Sequence, residues 1–207
     1  MRDTVDRQRR AFWLKHLHRW HWISSAVSLL VLLLFSVTGF TLNHAASIEA
    51  SPRVERRDAV LADDLLKRLA HVEGKAAPLP ATVADAVAAR TGAEVAGRAA
   101  DWSDDEVYVS LPRPGGDAWV SIDRETGEVR YESTDRGWLA YLNDLHKGRH
   151  TGPAWRWFID VFALACVVFA LTGLLLLKMH AGQRRMTWPM VALGFVLPLV
   201  VALLFIH

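Results

Sequence analysis

Charged residues vanish from the chain over three stretches. Trp22 to Leu42 and Met186 to Ile206 each run 21 residues without one, and Trp157 to Leu177, equally long, carries only Asp160. At 1.5 Å per helical residue each run covers about 31 Å, enough to cross a bilayer core of about 30 Å. A chain of 207 residues whose other half is strongly polar has little interior in which to hide three such rods. The pattern therefore predicts three transmembrane helices. The first run is longer than the core of a signal peptide, and the stretch after it, Asn43-His44-Ala45-Ala46, puts a large residue where cleavage prefers a small one. It reads as an uncleaved anchor.

Between the first and second runs the periodicity changes. Asp58 to Ala70 has apolar residues at helical spacing, with Asp58 in position to cap it, and Thr82 to Arg90 reads as a second helix. Glu106–Leu111, Ala118–Ile122 and Glu128–Glu132 alternate like strands, separated by the turn sequences Pro112–Asp117 and Asp123–Gly127. Trp138 to His150 carries an apolar stripe suited to a helix lying in the headgroup layer. Gly152 and Pro153 then reset the chain for the second crossing.

The expected fold is an α-helical integral membrane protein with a small extracytoplasmic α+β domain. Its parts are a basic N-terminus (1–21), a first crossing (22–44), the α+β domain (45–137), an interfacial helix (138–152), a second crossing (153–180), a loop (181–186) and a third crossing (187–207).

Charge supplies orientation. Residues 1–22 hold six Lys/Arg against two acids, the loop after the second run holds Lys178, Arg184 and Arg185, and residues 45–155 hold 14 Lys/Arg against 19 acids. Basic flanks stay in the cytoplasm, so the N-terminus is expected inside and the α+β domain outside. The net charge of +2 gives no reason to expect a nucleic-acid partner, and one Cys cannot form an internal disulfide.

The nine His are placed unevenly. His16, His18 and His21 precede the first crossing and His44 closes it. His146 and His150 precede the second, His180 closes that one, His207 ends the chain, and His71 alone falls in the small domain. The ends of the first two crossings repeat a motif: Phe35-Ser36-Val37-Thr38-Gly39 leads to His44, and Phe169-Ala170-Leu171-Thr172-Gly173 leads to His180. The two helices run in opposite directions, so F-x-x-T-G followed by His forms a weak inverted repeat, which places equivalent sites at opposite faces. Gly admits a close neighbour or a flat ligand, and Thr can bond back to its own helix.

Spacing alone leaves three readings. Paired His on facing helices can hold haem iron, His21 with His180 at the inner face and His44 with His146 or His150 at the outer. His16, His18 and His21 could instead hold zinc or copper. Or the His are interfacial residues without a ligand.

The stretches Leu17–Ser25, Thr38–Ala45 and Leu142–Gly152, with the Asp123–Val129 step of the meander, resemble the PepSY-associated transmembrane helix proteins of bacteria. The resemblance extends over almost the whole chain and matches the short, single-PepSY branch. It implies an inner-membrane protein related to ferric-siderophore reductases, with haem b, two copies expected, on boundary His. His21, His44, His146 and His180 match that pattern, with His18 and His150 as alternates.

The expectation is a cytochrome b that passes electrons across the inner membrane, acting as a haem-dependent transmembrane reductase if it is an enzyme. No dinucleotide fingerprint is present, so the donor is expected to be quinol or a reductase. The acceptor is expected to be ferric iron, a ferric chelate or a flavoprotein. Arg19, Lys178, Arg184 and Arg185 inside, and Lys147 and Arg149 outside, are candidates to pair haem propionates. The rival readings are a non-redox anchor presenting a PepSY module to a partner, and a component for metal or haem transport, for which a homodimer would make a better conduit.

Overall fold

A computed structural model describes residues 2–48, 51–70 and 76–206 of the chain. His71 and His207 lie outside the described residues. Three described helices are long and apolar enough to cross a membrane: α1 (Arg2–Asn43), α5 (Gly152–His180) and α6 (Thr187–Phe205). Their apolar side chains stand largely exposed, Leu30, Trp157 and Phe205 among them. Such surfaces are stable only against lipid, and the chain is a multi-pass membrane protein.

The chain divides into two compact units, one comprising residues up to Leu33 with those from Phe158 onward, the other Leu34–Trp157. Helices α1 and α5 contribute a stretch to each. Helix α1 begins twenty residues before the expected crossing. No Gly or Pro interrupts residues 2–21, so nothing in the basic segment stops the helix from propagating toward the N-terminus.

In the second unit, and among the described residues, five strands form one antiparallel sheet in the order β1-β5-β4-β3-β2. They are β1 (Arg53–Val60), β2 (Asp101–Trp102), β3 (Glu106–Ser110), β4 (Gly116–Asp123) and β5 (Glu128–Asp135). One face carries the core. Val107, Val109, Val120, Ile122 and Val129 alternate inward and meet Leu69 of α2 (Asp63–Leu69) and Val83 and Val87 of α3 (Ala81–Thr91).

Asp58 is not a helix cap. It lies in edge strand β1, opposite Arg130, and α2 starts five residues later, at Asp63, with Ala62 in the cap position. The sequence Arg53–Val60 is charged on both faces, so it lacks the alternation that marks a half-buried strand. Charges along an edge deter pairing with another chain, and Arg56 on this strand donates to Glu132 at 2.7 Å.

The third expected helix, α4, spans Gly137–Lys147. It is shorter than foreseen because Gly148 takes the left-handed conformation (φ 66°) and the Arg149 N–H closes the cap on the Asp144 carbonyl at 2.9 Å. Rather than presenting only an apolar stripe to a surface, α4 docks on the β3–β4 turn. The buried Asp144 carboxylate accepts the Gly115 N–H at 2.9 Å and pairs with Arg149 at 2.9 Å. Gly115 is required there, since a Cβ would come within 2.8 Å of Tyr141 on α4.

In the β4–β5 turn Asp123 Oδ1 accepts the N–H groups of Glu125 and Thr126 at 2.9 and 2.7 Å. The Thr126 N–H in particular holds the Asp123 carboxyl below its ordinary value. A depressed carboxyl contributes stability at neutral pH and loses it as pH falls through the depressed value. On acidification from pH 5 to below about 3, the melting temperature of the wild-type protein is expected to fall further than that of Asp123→Asn, which accepts the same bonds but does not titrate.

Candidate functional site

Each unit contains one copy of the same arrangement. In the first, His21 of α1 reaches the Phe169–Gly173 segment of α5. Its Nδ1 lies 3.1 Å from Thr172 Oγ1 and 3.2 Å from the Phe169 carbonyl oxygen. Its ring stacks on Phe169, with centroids 4.8 Å apart and planes 13° from parallel. Gly173 makes room, since a Cβ there would sit 3.2 Å from His21 Cε1. In the second, His146 of α4 reaches Phe35–Gly39 of α1. Its Nδ1 lies 2.7 Å from Thr38 Oγ1, its ring is 4.8 Å from Phe35, and a Cβ on Gly39 would sit 3.5 Å from its Cε1. F-x-x-T-G is thus a receptor for a histidine: the aromatic ring faces the imidazole, the hydroxyl binds it and the glycine admits it.

The threonines engage the same ring nitrogen, Nδ1, of each histidine. Thr172 donates its hydroxyl hydrogen back to the Val168 carbonyl at 2.6 Å, and Thr38 donates to the Leu34 carbonyl at 3.0 Å. With that hydrogen committed, each hydroxyl oxygen is left as an acceptor, so the imidazole donates from Nδ1. His21 and His146 thus meet their threonines through Nδ1. Four further histidines use Nδ1 toward the carbonyl one turn back: His16 to Phe12, His18 to Leu14, His44 to Phe40 and His180 to Leu176, at 2.8–3.0 Å. A carbonyl can only accept, so Nδ1 must donate in all four. Metal-binding imidazoles are oriented in the same way, with one ring nitrogen donating to a partner while the other faces the metal.

Among the described residues no hydrogen bond or ring contact joins His21 to His180, or His44 to His146 or His150. His180 lies seven residues beyond Gly173, about 10 Å further along α5 than the segment that receives His21. It is His18 whose ring meets His180, with centroids 5.9 Å apart and planes at 88°. His44 instead leans on Phe40 of its own helix, at 4.5 Å. His150 is exposed and left-handed (φ 59°), in the connection between α4 and α5. No group of three or more His, Cys, Asp or Glu gathers among the described residues. Arg149, a candidate for propionates, is engaged by Asp144.

The model of the PepSY_TM-like family matches residues 12–207. The chain belongs to this family. No curated protein and no solved structure matches it. The match takes in both histidine receptors, the sheet and all of α5 and α6, so the PepSY-like domain and the F-x-x-T-G segments belong to one family unit.

The two glycines differ by a few tenths of an ångström in clearance, and substitutions read that difference. Gly39→Ala is expected to be neutral or slightly stabilising, because its Cβ meets His146 at ordinary contact and Ala is favoured over Gly in a helix by about 0.5–1 kcal/mol. Gly173→Leu fills the space of the His21 ring and is expected to destabilise by about 1–3 kcal/mol. Thermal unfolding of the detergent-purified variants checks both.

Proposed function

We propose that the protein is a b-type haem protein of the bacterial inner membrane. It carries electrons from a donor at the cytoplasmic side, quinol or a reductase, to an extracytoplasmic acceptor such as ferric iron, a ferric chelate or a flavoprotein. The observation that carries this reading is the pair of receptors that hold His21 and His146 through Nδ1, one in each unit. Two such imidazoles, equivalent under an inverted repeat, supply one ligand at each face. His18 and His180 are the further imidazoles at the inner face, and His44 and His150 at the outer. The basic flanks of α1 and the loop after α5 support a cytoplasmic N-terminus, with the PepSY-like sheet outside.

The donor set fits an iron held by two neutral imidazoles through Nε2. Bound there, haem supplies a one-electron carrier within the bilayer. The chain's own residues keep the ligands ready. Thr172 and Thr38 engage Nδ1, Phe169 and Phe35 fix the ring plane, and Gly173 and Gly39 let the imidazole lie close to the facing helix.

An absorption spectrum of the purified protein, expressed with ample haem, tests this. A Soret band with sharp α and β bands on dithionite reduction is expected, and His21→Ala and His146→Ala should each lose about half the haem. A colourless, membrane-inserted preparation overturns the reading and leaves the histidines as interhelical polar contacts.

Thr172→Val is expected to keep the fold but lower haem retention about 10-fold or more, as loss of an outer-shell partner does, with Thr172→Ser restoring it. Equal retention in Val and Ser variants would show that the hydroxyl plays no part.

A further inference from the structure

We infer a binding site for an anionic phospholipid beside the N-terminal part of α1, in the first unit. A cavity of about 520 Å³ opens there between α1 and the end of α5. Water takes roughly 30 Å³ per molecule in the liquid, so the space suits a headgroup with part of a chain.

Its lining is ordered along the helices. On α1, Asp6, then Arg9 and Arg10, then Trp13, then Leu17 follow one another at three- and four-residue steps, so they share a face and pass from charged to aromatic to apolar. On α5, Lys178 lies beside Met179, with Leu175 one turn earlier. Cations thus stand at one end and apolar side chains at the other. That is the profile of a lipid at the boundary between headgroup and acyl layers.

Charge selects the class of lipid. Arg9, Arg10 and Lys178 face a single carboxylate, Asp6. A neutral quinone head or a zwitterionic phosphatidylcholine would leave two positive charges unanswered, whereas a phosphatidylglycerol phosphodiester accepts from guanidinium groups. Free phosphate would not cover Trp13, Leu17 and Met179. Arg10 is already partly ordered: it donates to the Met179 carbonyl at 3.2 Å, one of the last carbonyls of α5, which have no partner within the helix. Its remaining N–H groups are free to face the cavity. The site does not depend on haem, and its failure would leave the histidine reading untouched.

The test is native mass spectrometry of the full-length, delipidated protein titrated with phosphatidylglycerol, phosphatidylcholine, ubiquinone or inorganic phosphate. The wild type is expected to retain phosphatidylglycerol at least 10-fold over phosphatidylcholine. Arg9→Gln with Lys178→Gln should cut that retention about 25-fold, roughly fivefold per cation. Arg184→Gln with Arg185→Gln, outside the cavity, should leave it unchanged. Brominated phosphatidylglycerol should quench wild-type fluorescence more than that of Trp13→Phe, a readout that needs no charge variant to fold. Equal retention of the two phospholipids, displacement by ubiquinone or by phosphate, equal loss in the Arg184/Arg185 variant, or quenching indifferent to Trp13 would each overturn the proposal.

Discussion

An imidazole carried into the apolar length of a membrane helix must find an acceptor for its ring N–H, because no water is there to supply one. Much of this chain's arrangement answers that demand. A threonine provides the acceptor without exposing a new donor, since its own hydrogen is spent on the carbonyl one turn back. A glycine beside it removes the side chain that would keep the ring away. The phenylalanine one turn earlier supplies a flat apolar face. Five positions of one helix turn and a half thus solve the solvation of a foreign imidazole, and the same solution stands on α1 and on α5.

The repeat was legible before the geometry, as two F-x-x-T-G segments followed by His. Its partners were not. Sequence spacing places residues along a helix but says nothing of which residue of a neighbour stands at the same depth. The structure seats His21 among Phe169, Thr172 and Gly173, within the apolar run, and sets the His18 ring against His180. The motif that signalled the site was itself the binding partner.

The same limit governs the fold. The three apolar runs and α3 were read closely, because burial in lipid or against a sheet leaves a strong periodic mark. Strand β1 left none: of its residues only Ala59 is even half-buried, and its place comes from backbone pairing with β5, from Arg53 opposite Asp135 to Val60 opposite Glu128. Strand β2 is two residues long, too short for any period to show. The early start of α1 escaped notice for the opposite reason. Apolar content marks where a helix enters the membrane, whereas a helix ends only where something stops it.

The two receptors are alike in chemistry and unlike in support. His21 sits on the same continuous helix as one receptor and meets the other, so its position follows from the packing of α1 against α5. His146 sits on α4, a separate helix fastened to the sheet by the Asp144 carboxylate on Gly115 N–H and to α1 by the Thr41 hydroxyl on Asn143. Asp144 lies two residues before His146, and the turn that bears Gly115 joins β3 to β4, the central hairpin of the sheet. A displacement of that hairpin would move α4, and with it the His146 ring, relative to Thr38. A single turn of helix links the sheet to the imidazole, so one of the two sites is mechanically tied to the PepSY-like domain, while the other is held by membrane helices alone.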